Sequence, residues 1–248
     1  MTVKPEKNVS EFNKDVRKFG TYAYTNPDIY SARVVAKKQS YEIMRMVRRY
    51  SPKKTGMTIL DIGSGDGTYT FELFEHFKPK KIVGFDYAED GVNLANKRIR
   101  KKHGSKIRFI QCSIYDVKKH IKEHFDVAVI RGVLHHLYEP QKGIEAISSL
   151  ADTVIAAEPN GYCIPLKIIE KVSLYHRQHE EKSYWPPMLN RWFENNGFRV
   201  KKQYFYCIVP IFCNETVARI LHAAEPYLEP IPFLNRIYCS TNMVVYEK

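Results

Sequence analysis

Apolar and polar positions along the chain alternate between two periods in a repeated order. Short apolar runs at 57–62, 81–86, 107–111, 125–131, 152–158, 199–209 and 238–246 predict strands. Between them, apolar residues at helical spacing predict helices over 67–77, 88–103, 116–123, 140–150, 164–176 and 187–196, with a further helix near 214–224. Ahead of the first strand, Val34, Val35, Tyr41, Ile43, Met44, Met46 and Val47 make a helical stripe over 30–50 that stops at Ser51-Pro52. Residues 1–28 are polar and charge-rich, with Phe12, Phe19, Tyr22 and Tyr24 as aromatic punctuation, and no element is assigned to them. Strands alternating with helices predict an α/β fold on a parallel sheet, with no internal repeat or low-complexity tract.

The densest chemical signal sits where the first strand ends. Residues 59–67 read Ile-Leu-Asp-Ile-Gly-Ser-Gly-Asp-Gly, and a helical stripe follows at once with Tyr69, Phe71, Leu73, Phe74 and Phe77. Gly63, Gly65 and Gly67 allow positive φ and a close approach of backbone to a ligand. The start of the next helix offers unpaired N–H groups. The second strand stops at Asp86, nineteen residues past Gly67, where a carboxylate can accept both hydroxyls of a ribose. The spacing is neither the Gly-x-Gly-x-x-Gly of dinucleotide folds nor a triphosphate loop, which needs a following Lys.

Asp61-x-Gly63-x-Gly65-x-Gly67 after a strand, with Asp86 ending the next, closely resembles motifs I and II of the class I S-adenosylmethionine-dependent methyltransferases. Phe109-Ile110-Gln111-Cys112-Ser113 looks like motif III. Phe125 to Leu137, with Arg131-Gly-Val-Leu-His135-His136, looks like motif IV of the ubiquinone/menaquinone-biosynthesis-like small-molecule group. The match is good over 53–158 and only an outline elsewhere. It implies a Rossmann-like, seven-stranded, mostly parallel sheet with helices on both faces and an antiparallel last strand. It also implies one methyltransferase domain over 1–248: a helical cap (1–50), a cofactor-binding half (51–158) and an acceptor-side half with an inserted lid (159–248). S-adenosylmethionine is the implied cofactor and S-adenosylhomocysteine the product. Asp61, Gly63, Ser64, Gly65, Gly67, Asp86, Tyr87, Cys112, Ser113, Ile114 and Arg131 are the implied cofactor residues.

Two positions depart from the pattern. Ser113 stands where many relatives have Asp, and a hydroxyl accepts from an adenine amine more weakly than a carboxylate does. Arg131 stands where relatives commonly have a small polar residue. A guanidinium keeps its charge, so Arg131 either turns to solvent or a structural acid, or binds an anionic group on the acceptor.

Methyl transfer to a hydroxyl or ammonium also needs a base. His135 and His136 follow the fourth strand directly, and Glu158 ends the fifth, so these three are the catalytic candidates, with His136 favoured over His135. Asn160 and Tyr162 beside Glu158, Phe212 in the apolar 207–236 stretch, and Tyr22 from the N-terminal side are the acceptor-binding candidates. Tyr24 and Tyr30 are further candidates for closing the pocket. His176 and His179 lie one helical turn apart but have no further ligands at set spacing, so no metal is expected.

Composition changes this picture little. The 248 residues carry a net charge of +12, which raises nucleic acid as a partner. The run Lys97, Arg98, Arg100, Lys101, Lys102 is expected in the last turns of the helix after Asp86, at the sheet edge opposite the ligand crevice, so no specific nucleic acid is expected. Five cysteines without a C-x-x-C pair, and no apolar leader or spanning run, predict a reduced, cytoplasmic protein. The expected function is methylation of a small, partly apolar molecule, most plausibly at oxygen. The alternatives are an RNA or protein methyltransferase, or a non-catalytic cofactor-binding scaffold. Sequence leaves the oligomeric state open.

Overall fold

The computed structural model describes residues 9–173, 182–211 and 213–248. In chain order the elements are α1 (Val9–Phe19), α2 (Tyr30–Tyr50), β1 (Thr58–Ile62), α3 (Thr68–Phe77), β2 (Lys81–Asp86), α4 (Glu89–Lys97) and β3 (Ile107–Gln111). Then come α5 (Val117–His120), β4 (Val127–Arg131), α6 (Pro140–Ile147), β5 (Thr153–Pro159), α7 (Ile164–Val172) and α8 (Pro186–Glu194). β6 (Arg199–Tyr206), α9 (Glu215–Leu228), α10 (Leu234–Tyr238) and β7 (Thr241–Glu247) complete the chain.

The seven strands form one sheet in the order β3-β2-β1-β4-β5-β7-β6. β1 to β5 pair in parallel, and β7 runs antiparallel between β5 and β6. Strand side chains alternate between faces, so each strand feeds two cores. Leu60 and Ile62 of β1 join Phe85, Ile130 and Phe193 on one face, while Ile59 joins Val47, Leu73 and Val245 on the other. Both faces are therefore covered, as a mostly parallel sheet requires. β4 stands between the β1–β3 half and the β5–β7 half, and the crevice at its carboxyl end opens onto both.

Several elements differ from the expectations. The helix expected over 88–103 ends at Lys97, and Lys101–Lys106 forms a separate 3-10 segment. The break lets Arg98 donate to the Asp66 carbonyl and the Thr68 hydroxyl, and lets His103 bury against Phe71 and Phe74. The strand expected over 199–209 stops at Tyr206. Cys207 turns there with φ +67°, its N–H and that of Ile208 donating to Glu229, just past α9, and to Glu225 of α9, at 2.6 and 2.9 Å. The last strand begins at Thr241, because Tyr238 ends α10 and Cys239 and Ser240 link that helix to the strand. α1 falls inside the expected helical cap, in a stretch to which no helix bounds are assigned, and Val9, Phe12, Val16 and Phe19 give it helical spacing. Residues 174–176 of the expected 164–176 helix lie outside the described residues.

Candidate active site

The turn after β1 is built by its glycines. Gly63, Gly65 and Gly67 have φ of +71°, +53° and +78°. The N–H groups of Gly63 and Ser64 both reach the Phe85 carbonyl at 2.9 Å, pinning the turn to the end of β2. Asp86 then accepts from Gly65 N at 2.9 Å and from Ala88 N at 2.8 Å, one on each carboxylate oxygen. Burial raises its carboxyl above the usual range, opposed by these backbone donors. Gly67 is a packing glycine: a Cβ there would lie 2.9 Å from Ala95 Cβ and from Phe109 Cζ.

A cavity of about 60 Å³ opens in front of this turn, between Gly63, Asp86, Tyr87 and Ile114 on the sheet side and Phe12 and Tyr22 on the other. Its residues fit a nucleoside. The glycines leave backbone bare, Asp86 keeps a lone pair on each oxygen for a diol, and Tyr87, Ile114 and Leu137 offer flat or apolar walls. Cys112 lies just behind, with its N–H on the Asp86 carbonyl at 3.0 Å. The Ser113 hydroxyl accepts from Tyr115 N at 3.3 Å and caps the following turn. Asp61 and Ser64 line a smaller recess of about 20 Å³ together with Tyr69 and Arg131. The Asp61 carboxyl, hydrogen-bonded by Thr70, is pushed up to about 6 by burial, against the pull of Thr70 and Arg131.

A second cavity, of about 160 Å³, lies on the β5 side, walled by Leu166 and Ile169 of α7, by Ile208 and Ile211, and by Tyr238. Phe12, Tyr24, Arg131, Gly132 and His136 line both this cavity and the one before Asp86. Into it face His135 and Glu158. The Glu158 side chain is almost wholly buried, and its Oε1 accepts from Val133 N and Leu134 N at 2.8 and 2.9 Å. Its Oε2 meets His135 Nδ1 at 2.9 Å. The turn carrying both histidines is thus folded around one carboxylate. His136, half-buried, packs on His135 with ring centres 3.8 Å apart and edge-on to Phe12 at 5.1 Å.

Arg131 turns neither to solvent nor into an ion pair among the described residues. It donates from Nε to Gln39 Oε1 (3.1 Å), from Nη1 to Ser40 Oγ (2.9 Å) and from Nη2 to the Ala36 carbonyl (2.7 Å), all on α2. Its guanidinium centre lies 3.2 Å from the Tyr69 ring centre.

The other expected acceptor residues are spread more widely. Tyr22 is buried on the cofactor side, where a Cβ on Gly65 would come 2.5 Å from its Cε2. Asn160 is fully buried and spends its amide on the Arg236 and Cys239 carbonyls, at 2.8 and 2.7 Å, tying β5 to α10. Tyr162 packs against Trp185 and Phe205. Neither residue is among those that line the two cavities. Tyr30 carries the Arg33 and Arg219 guanidinium groups. Phe212, His176 and His179 lie outside the described residues. Among the described residues no cluster of three or more His, Cys, Asp or Glu side chains is placed to hold a metal, none of the five cysteines is in a disulfide, and no helix is long and apolar enough to cross a membrane.

Sequence reading missed Phe12, Gln39, Ser40 and Asp66. Asp66 is buried, accepts from the Thr21 and Thr25 hydroxyls at 2.5 and 3.2 Å, and fastens the Tyr22–Tyr24 segment over the glycine turn. Arg17 of α1 adds a bond to Asp90 at 2.7 Å. An Asp inside a glycine turn, followed by the Thr68 N-terminus it caps, was the available signal.

The chain matches the family described as a methyltransferase domain over residues 53–207 and belongs to that family. Its fold and its glycine turn are those of the class I S-adenosylmethionine-dependent methyltransferases. It is 25% identical to the mitochondrial ubiquinone biosynthesis O-methyltransferase of Bos taurus, over 64% of this chain and 46% of that one. It is 27% identical to the tRNA U34 carboxymethyltransferase of Helicobacter pylori strain P12, over 62% of this chain and 60% of that one. Other curated relatives are matched over 22% to 43% of their length. Among solved structures, magnesium protoporphyrin IX methyltransferase from Synechocystis with bound S-adenosylhomocysteine superposes with a TM-score of 0.64 at 15% identity, covering 97% of this chain and 96% of that one.

Proposed function

We propose that this chain transfers a methyl group from S-adenosylmethionine to an oxygen of a small, partly apolar acceptor. One observation carries the reading: a cavity at Asp86 and a larger, mostly apolar cavity at His135 share a wall of Phe12, Tyr24, Arg131, Gly132 and His136. When bound, the cofactor supplies a methyl group already activated by its sulfonium. The chain's own residues then have two tasks. Gly63, Gly65 and Asp86 hold and orient the nucleoside, and the shared wall sets the acceptor beside it; alignment of this kind is worth about 7–11 kcal/mol in favourable cases.

Proton removal from a hydroxyl falls to the imidazole pair. With His135 Nδ1 engaged by Glu158, proton exchange with a ligand runs through Nε2, and the ring orientation is fixed by the turn's bonds to the same carboxylate. This supports His135 as the base, His136 as a wall residue against cofactor and acceptor, and Glu158 as the residue that positions His135.

A tRNA or protein acceptor is the second reading, favoured by the +12 charge and the tRNA-modifying relative. Against it, the large cavity is mostly lined by aliphatic and aromatic side chains. The Lys101–Lys106 segment directly precedes β3, whereas the cavities lie at the carboxyl ends of β4 and β5. The test is S-adenosylhomocysteine release on challenge with phenols, enols and hydroxylated lipids beside bulk tRNA. Turnover on tRNA alone would overturn the small-molecule reading.

A further inference from the structure

Arg131 is a fixed positive charge on the wall between the two cavities. Of its five N–H groups three go to neutral acceptors on α2, namely Gln39, Ser40 and the Ala36 carbonyl. No carboxylate forms an ion pair with it among the described residues. Asp61 shares the small recess with it and feels its charge, but makes no ion pair with it and takes its hydrogen bond from Thr70. The stack on Tyr69 and the bonds to α2 leave the guanidinium one orientation, so its ordering cost is met before any ligand arrives. A half-buried guanidinium that cannot lose its proton, and that no carboxylate pairs directly among the described residues, can take an anionic ligand.

We infer that Arg131 is the anion receptor of the acceptor cavity, so that the acceptor carries a carboxylate as well as an apolar body. The inference rests on the function proposed above and adds the substrate class. Two terminal N–H groups remain for the ligand, and a planar guanidinium suits a carboxylate. The rest of the wall accommodates the body: Leu166, Ile169, Ile208 and Ile211 are aliphatic, and Glu158, the one acid facing the cavity among the described residues, is taken up by its own turn. β4 lies between the half that carries Asp86 and the half that carries α7, so the guanidinium borders the acceptor cavity as well as the one before Asp86.

The experiment uses octanoate and octan-1-ol as probes, which share a chain and differ in the head group. Calorimetry on the S-adenosylhomocysteine-loaded protein at neutral pH is expected to show octanoate binding at least tenfold tighter than octan-1-ol. Arg131→Met is expected to erase that preference and leave S-adenosylhomocysteine affinity within about twofold. Equal affinity of the two probes for the wild type would overturn the inference. So would a tenfold loss of S-adenosylhomocysteine affinity in Arg131→Met with the probe preference intact, which would assign the guanidinium to the cofactor. Should Arg131→Met fail to fold, Arg131→Lys decides: it keeps the charge but not the fork, so the preference must shrink if Arg131 receives the carboxylate. A wild type that does not bind S-adenosylhomocysteine at all would instead overturn the proposed function.

Discussion

Nδ1 of His135 lies 2.9 Å from Oε2 of Glu158, while Oε1 of the same carboxylate holds the backbone N–H groups of Val133 and Leu134. One side chain therefore both shapes the turn after β4 and selects the tautomer of the imidazole on it. A carboxylate only accepts, so the proton sits on Nδ1 and Nε2 is left basic.

Glu158→Gln tests that arrangement. The amide oxygen can still accept from Val133 and Leu134, but the amide nitrogen donates toward His135. The ring must then present Nδ1 as acceptor and carry its proton on Nε2, where it cannot act as base. Single-turnover methylation should slow by about 10²–10⁴, while calorimetric affinity for S-adenosylhomocysteine stays near wild type. Unchanged turnover would reduce Glu158 to a structural cap of the turn.

The glycine turn makes a sharper steric prediction. At Gly65 the φ of +53° disfavours any side chain, and a Cβ would fall 2.5 Å from Tyr22 Cε2. Gly65→Ala should displace either the turn or the Tyr22–Tyr24 segment and weaken cofactor binding at least tenfold. Asp86→Ala should cost about 1–3 kcal/mol of cofactor affinity as hydrogen bonds to a charged group disappear. Wild-type affinity in both variants would remove the cofactor site from this turn.

Much of this half of the molecule is legible in the sequence, because strand, glycine turn and strand-end acid are contiguous in the chain and each has a local physical signature. The strands follow from alternation alone, and the antiparallel last strand from the resemblance. What escapes are pairings distant in sequence. Glu158 and His135 are 23 positions apart, Arg131 and Ala36 are 95 apart, and only packing of α2 across the carboxyl end of β4 brings the latter together. Asn160 misleads for a related reason: it ends a strand at the crevice, yet its amide satisfies carbonyls of α10 that nothing local announces. α1 is amphipathic but short, and its polar composition hides the stripe that presents Phe12 to both cavities.

The basic run divides by the same logic. Arg98 is committed to the Asp66 carbonyl and Thr68, whereas Lys97, Lys101 and Lys106 have no acidic partner among the described residues. Lys97, Lys101 and Lys106 replaced together by Gln should lower the salt dependence of RNA retention, by about one unit of slope for each phosphate no longer neutralised. Small-molecule turnover should be unaffected. Arg98→Ala should instead lower the melting temperature, since it frees two acceptors at the start of α3. Loss of turnover in the triple variant would return the nucleic-acid reading to the front.

The last prediction concerns Asp61, the acid that opens the glycine motif. It is 4% exposed, and burial lifts its carboxyl from the ordinary value to about 6. For an acid the sign is unfavourable at neutral pH. The folded state holds the proton more tightly than the unfolded chain, so stability falls as pH rises from about 4 to about 6, by roughly 3 kcal/mol in all. Asp61→Asn keeps an acceptor for Thr70 and removes the charge, so the variant should melt higher than wild type at pH 7.5 and show a flatter melting profile between pH 4 and 6. A negative charge at the start of the glycine turn favours a cationic cofactor. Affinity for S-adenosylmethionine should rise as pH passes upward through about 6 in the wild type and stay flat in Asp61→Asn. Differential scanning calorimetry and titration calorimetry over pH 5–8 read both effects on one pair of proteins. A variant that melts higher and binds S-adenosylmethionine as tightly as wild type at pH 7.5 would mean the buried charge serves neither stability nor this cofactor.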